Sequence, residues 1–215
     1  SEIVASSQTS ESLCENNMKI LRLLSEEVFD FSLDSMTAAK IAHMKSSLND
    51  EFSAVYHLCT MVMENSQKIS LVLATLRTLQ RFLTWISLGY IFETQLINNL
   101  LKFLTMPQFR TTVLDCLTEI ASLPIDDIPE AYKPILVGLL IQFIQTLVII
   151  LPPDIDLSIA YENGNDEERL FIQHLAMFLT TYLRQFLPFL NPFISKDGQD
   201  PTIVLAVDLA LEYLL

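Results

Sequence analysis

Glycine is scarce in this chain, with 4 in 215 residues. That leaves little material for a phosphate-cradling loop, and no P-loop, dinucleotide turn, G-x-S-x-G or kinase signature occurs. Cysteine is scarce as well. Cys14, Cys59 and Cys116 form an odd count without C-x-x-C pairing and fall inside helical patterns, as expected of buried thiols in a reducing compartment. The histidines, His43, His57 and His174, stand outside any H-E-x-x-H and have no Cys or carboxylate at metal-ligand spacing, so they read as ordinary helix-surface residues. No catalytic, metal or cofactor site is expected, and the chain reads as non-enzymatic. The opening "SEIVASSQTSES" has neither a basic nor an apolar region, which excludes a signal peptide there, and the chain reads as intracellular.

Positive charge is also in short supply: 13 Lys and Arg face 26 Asp and Glu, for a net charge of -13. Such a balance repels nucleic-acid phosphates and anionic membrane surfaces, so neither is an expected direct partner. A basic protein partner fits better.

What the chain has in quantity is apolar side chains, 51% of residues, with a mean hydropathy of +0.38. Leu and Ile recur at threes and fours, which predicts an all-α protein. Apolar period and breakers give eight helical segments, at 10–30, 36–65, 69–86, 94–105, 107–122, 129–151, 166–188 and 201–215. In the third, Val72, Leu76, Leu79, Leu83 and Ile86 form one stripe, with Arg77, Arg81 and Thr84 opposite. Pro107, Pro124, Pro129, Pro152 and Pro153 and the turn "ENGN" at Glu162 to Asn165 punctuate the rest. Taken in pairs, the segments become 10–65, 69–105, 107–151 and 166–215, the spacing of a HEAT-type α-solenoid; a single helical bundle is the other reading. The whole chain, 1–215, then reads as one HEAT-repeat segment cut at both ends, since "LALEYLL" stops inside an apolar helical pattern.

The stretch "PILVGLLIQFIQTLVIILPP" (Pro134 to Pro153) has no charge and is long enough to cross a membrane. Its polar stripe of Gly138, Gln142, Gln145 and Thr146 and its acidic flanks argue for burial in protein instead. A helix inside a stacked array has neighbours on three sides, and this one is expected to be covered on three.

"DIDLSIAYENGNDEE" has the oxygen donors of a calcium loop but Ile159 where such a loop needs glycine, so it reads as an acidic turn opening the next helix. Asp166, Glu167 and Glu168 there complement the helix dipole. Glu26, Glu27 and Asp30 oppose it, at the end of the first segment. Either Lys40 or Lys45 compensates them, or a basic partner docks on them.

The stretches "SESLCENNMKILRLLSEEVFDFS", "RFLTWISLGYIFET", "DCLTEIA" and "AYENGNDEERLFIQHLAMFLTTYL" resemble, in collinear order, the nuclear export receptors of the karyopherin-β superfamily. The resemblance implies a HEAT solenoid that, in the full-length parent, binds Ran-GTP together with cargo proteins carrying a leucine-rich export signal. It also implies passage through the pore along nucleoporins, shuttling between nucleus and cytoplasm. The family's reactive cysteine lies further along the parent and is not Cys14, Cys59 or Cys116. Charge and second-helix-inward geometry mark Glu167, Glu168, Asp208 and Glu212 as inner-surface candidates for Ran contact. A HEAT scaffold without a nucleotide-dependent partner is the alternative.

Overall fold

A computed structural model of the chain describes residues 6–7, 10–26, 38–195 and 199–215, with the side chains of the second helix described from residue 52 onward. Among the described residues the regular structure is entirely helical, and the fold is all-α, of the HEAT-repeat class. The helices are α1 (Glu11–Glu26), α2 (Ala38–Asn65), α3 (Ile69–Leu83), α4 (Leu88–Phe92), α5 (Leu96–Leu104), α6 (Arg110–Ala121), α7 (Lys133–Ile150), α8 (Leu157–Asn163), α9 (Asp166–Ile194) and α10 (Pro201–Glu212). They divide into two compact units, residues 1–96 and 97–215.

In the first unit α1 and α3 lie side by side and run the same way. Near their starts Glu15 meets Lys68 and Ser70; further along, Thr78 Oγ1 donates to the Met18 carbonyl at 2.8 Å; at their ends the Trp85 indole donates to Ser25 Oγ at 3.2 Å. Helix α2 runs against both, because Ser66 beyond its end donates to Glu11 while Phe52 packs on Phe82 at the end of α3, ring centroids 5.1 Å apart. The expected stripe of α3 is all buried: Val72, Leu76, Leu79, Leu83 and Ile86 are each 5% exposed or less, while Arg77 and Thr84 are exposed. Burial of each such side chain is worth roughly 1.5–3 kcal/mol.

The second unit repeats the scheme. Helices α6 and α9 run parallel, with Arg110 over the Phe171 ring at 5.5 Å and Asp115 beside His174. Helix α7 runs against α9: Lys133 faces Phe189, the Leu136 carbonyl meets Tyr182, and Phe143 packs on Phe178 with centroids 4.4 Å apart. Helix α10 packs beside α7 and ends with it, Tyr213 donating to the Leu151 carbonyl. Like helix on like helix, with the alternate helix reversed, is how HEAT hairpins stack.

Two expectations are corrected. Helix α9 runs through Pro188 and Pro192 to Ile194, where the sequence reading stopped it at 188. The donors lost at the prolines are outweighed by burial of Phe186 and Leu190, at 1% and 0% exposure. Two short helices, α4 and α8, occupy stretches read as connections. Helix α7 is covered as expected, with Pro134, Gln142, Gln145 and Ile149 exposed on one side and the rest half-buried or buried, most deeply along the face of Leu136, Leu139, Leu140, Phe143, Ile144 and Leu147. It is long and apolar enough to span a membrane, but that face packs on protein, Gln142 and Gln145 are exposed, and Ile149 is 82% exposed.

Candidate functional site

The local chemistry of the acidic turn is capping. Asp156 accepts from the Ser158 and Ile159 amides and starts α8. Asn165 accepts from the Glu167 and Glu168 amides, and Glu168 Oε2 accepts in return from the Asn165 amide at 2.9 Å, closing a capping box on α9. The Arg169 guanidinium donates to the Tyr161 and Glu162 carbonyls and so finishes α8. No cluster of metal-ligating side chains occurs among the described residues.

Of the histidines, His57 is exposed on α2, as expected, and the side chain of His43 lies outside the described residues. His174 departs from a plain surface role. It is half-buried, with Nδ1 2.5 Å from Asp115 Oδ1, and ties α9 to α6.

Glu167, Glu168, Asp208 and Glu212 are all exposed. They do not converge on one recess. Glu168 lines a cavity of about 400 Å³ with Arg110, Gly164 and Phe171, while Glu212 lines one of about 300 Å³ with Asp154, Asp156 and Tyr213. Burial pushes the Tyr213 hydroxyl up, and the charges of Glu212 and Asp154 add to that. The sequence reading missed this second grouping; the signal was the pair of acids just beyond Pro152 and Pro153.

Glu27 and Asp30 lie outside the described residues, as do the side chains of Lys40 and Lys45. Glu26 is described, and its compensation comes from arginine: Arg81 Nε stands 3.3 Å and Arg22 Nε 3.6 Å from Glu26 Oε1. About three turns earlier on α1, Glu15 takes Lys68 and Lys19, both at 2.9 Å, and a hydrogen bond from Ser70. Lys68, then Lys19 and Ser70, hold its carboxyl down at about 2. Between these carboxylates lies a groove of about 280 Å³ whose lining includes Lys19, Arg22, Arg77, Leu73 and Ala74. A surface read from the sequence as acidic is therefore cationic over the described side chains of α1 and α3.

The three thiols are buried, at 3% exposure or less. Burial pushes Cys59 up to about 12 and raises Cys14, which suits inert packing rather than nucleophilic chemistry.

Comparison with known proteins puts this geometry in a family context. A sequence profile described as exportin 1-like protein matches residues 1–117. The chain is 44% identical over 214 residues to the protein named EXPORTIN 1A of Arabidopsis thaliana. It is 45% identical over 216 residues to Exportin-1 of Drosophila melanogaster and 45% identical over 202 residues to Exportin-1 of Schizosaccharomyces pombe. Those alignments cover 100%, 100% and 93% of the chain but only 19%, 19% and 18% of the relatives' own lengths.

Proposed function

The chain belongs to the exportin 1-like family, and from that premise we propose that it supplies framework helices to a nuclear export receptor. The observation that carries the reading is similarity at 44% and 45% identity over the whole chain, not over one motif. In this reading the full-length protein binds Ran-GTP and a leucine-rich export signal at once, passes the pore along nucleoporins and shuttles between nucleus and cytoplasm. Its role is transport without catalysis. Each ligand favours the same arrangement of stacked helices, so each raises the other's affinity by an equal factor.

Stacked parallel helices such as α1 with α3 and α6 with α9 suit this role, because small shifts between packed layers change curvature without breaking a core. Glu167, Asp208 and Glu212 are exposed carboxylates available to a basic partner surface such as Ran's. Glu168 is held by its capping bond and contributes less.

The test is the affinity of the full-length protein for Ran loaded with GTP or GDP, with and without an export peptide. GTP-selective binding strengthened by the peptide is expected; equal or absent binding in all four conditions would overturn the reading. Neutralising Glu167, Glu168, Asp208 and Glu212 together tests the acids separately, and unchanged Ran affinity removes them from the interface.

A further inference from the structure

We infer that the groove between α1 and α3 is a docking site for a short acidic segment of a partner protein. The inference rests on charge and does not depend on Ran or on export cargo. Of the 13 Lys and Arg in the chain, Lys19, Arg22, Lys68, Arg77 and Arg81 gather on this one helix pair. Against them the described side chains there set Glu11, Glu15 and Glu26. Among the described side chains the local balance is cationic, in a chain whose net charge is -13.

The arrangement within the groove matters as much as the sum. Glu15 lines the groove and Glu26 lies one turn beyond Arg22 on α1, each holding one cation of α1 and one from α3 or its N-cap. The middle is left to Lys19, Arg22 and Arg77. Helix α3 carries no carboxylate of its own, and Arg77 is exposed and forms no ion pair among the described residues. Arg22 Nε is buried without a hydrogen-bond acceptor, its distance to Glu26 being 3.6 Å. The Arg22–Glu26 contact is thus an ion pair without a hydrogen bond, and a carboxylate arriving at the Arg22 guanidinium breaks no formed hydrogen bond to Glu26. The floor between the cations, half-buried Leu73 and buried Ala74, gives small apolar side chains of the occupant a seat.

Charge also selects a peptide over a nucleic acid. Screening confines the field of the groove to a Debye length of about 8–10 Å around its cations, so it acts on the few residues seated there. A long polyanion would also meet the rest of this chain, where carboxylates outnumber cations, and be repelled.

The experiment uses the full-length protein and a fluorescein-labelled peptide of repeating Glu-Glu-Ala, chosen to lack the leucines of an export signal. Saturable binding is expected that weakens steeply with salt, falls about 10-fold in the double variant Lys19→Glu, Arg77→Glu, and survives in Lys19→Arg, Arg77→Lys. Lys102→Glu, an exposed cation in the last turn of α5, serves as the charge-matched control and leaves binding unchanged. Any of three results overturns the proposal: equal losses in the groove and control variants, tighter groove-dependent binding of polyuridylate than of the peptide, or a double variant that loses only self-association in the ultracentrifuge.

Discussion

Tyr182 on α9 donates its hydroxyl to the Leu136 carbonyl of α7 at 2.8 Å, in a fully buried setting. One bond thus joins the two reversed helices of a pair at mid-core. Its ring packs between Phe178 and Phe186, and burial pushes its hydroxyl well up, so the proton stays and the donor is permanent. Tyr182→Phe is expected to cost about 1 kcal/mol, since the Leu136 carbonyl keeps its place in the helical ladder of α7. Tyr182→Ala removes the ring as well and should cost about 3–5 kcal/mol. Native-state hydrogen exchange on the full-length protein would read both, as faster exchange confined to α7 and α9. Equal effects of the two substitutions would refute this division between bond and ring.

The junction of α8 with α9 depends on a glycine for want of space, not for a special backbone angle. A Cβ on Gly164 would stand 2.7 Å from the Ala160 carbonyl oxygen and 3.1 Å from Glu168 Oε2. Gly164→Ala must therefore displace backbone or open the capping box, at a cost of about 1–3 kcal/mol. Asn165→Ala removes the cap alone and should cost about 1 kcal/mol. Exchange protection in the first turn of α9 should fall in both, and further in Gly164→Ala; protection unchanged in Gly164→Ala would show that the turn yields freely.

The buried thiols make a chemical prediction. Cys59 is 1% exposed with its proton held up to about 12, and Cys14 and Cys116 are 3% and 0% exposed. Iodoacetamide at mildly alkaline pH should leave all three unmodified in the native full-length protein and label them on unfolding. Peptide mapping of the three cysteine peptides decides it, and rapid native labelling of Cys59 would mean that α2 opens locally.

How far the sequence could be read depended on where each element finds its support. The stripe of α3 is self-contained, so Val72 to Ile86 declared their burial by period alone. Helices α4 and α8 did not. The first lies in a hydrogen-bond chain running from Tyr56 on α2 to Thr94 and the Tyr90 carbonyl, and the second is closed by Arg169 of the following helix. Neither partner lies inside the segment it stabilises. Continuation of α9 past Pro188 is likewise a tertiary effect, carried by Phe186 and Leu190. Acid positions were legible as charge, but their full consequence was not: Glu26 has Arg22 four residues before it on its own helix, and it joins a surface richer in cations once α3 brings Arg81 beside it.

Glu15 supplies the last prediction, a dependence on pH. Its ordinary carboxyl value is 4.5 and in the fold it is held at about 2, by Lys68 first and then Lys19 and Ser70. Because the folded value is the lower one, the anion's contribution to holding α1 on α3 is fully present above the ordinary value and is lost as pH falls through about 2. Glu15→Gln keeps the size and can still accept from Ser70 but loses both ion pairs. The variant should therefore show less exchange protection than the native protein in α1 at neutral pH, with the gap closing progressively between pH 4.5 and about 2. Both pairs are solvent-accessible, so added salt should narrow the same gap at neutral pH. A gap that stays constant with pH would mean that packing of the side chain, not its charge, joins the two helices at this end.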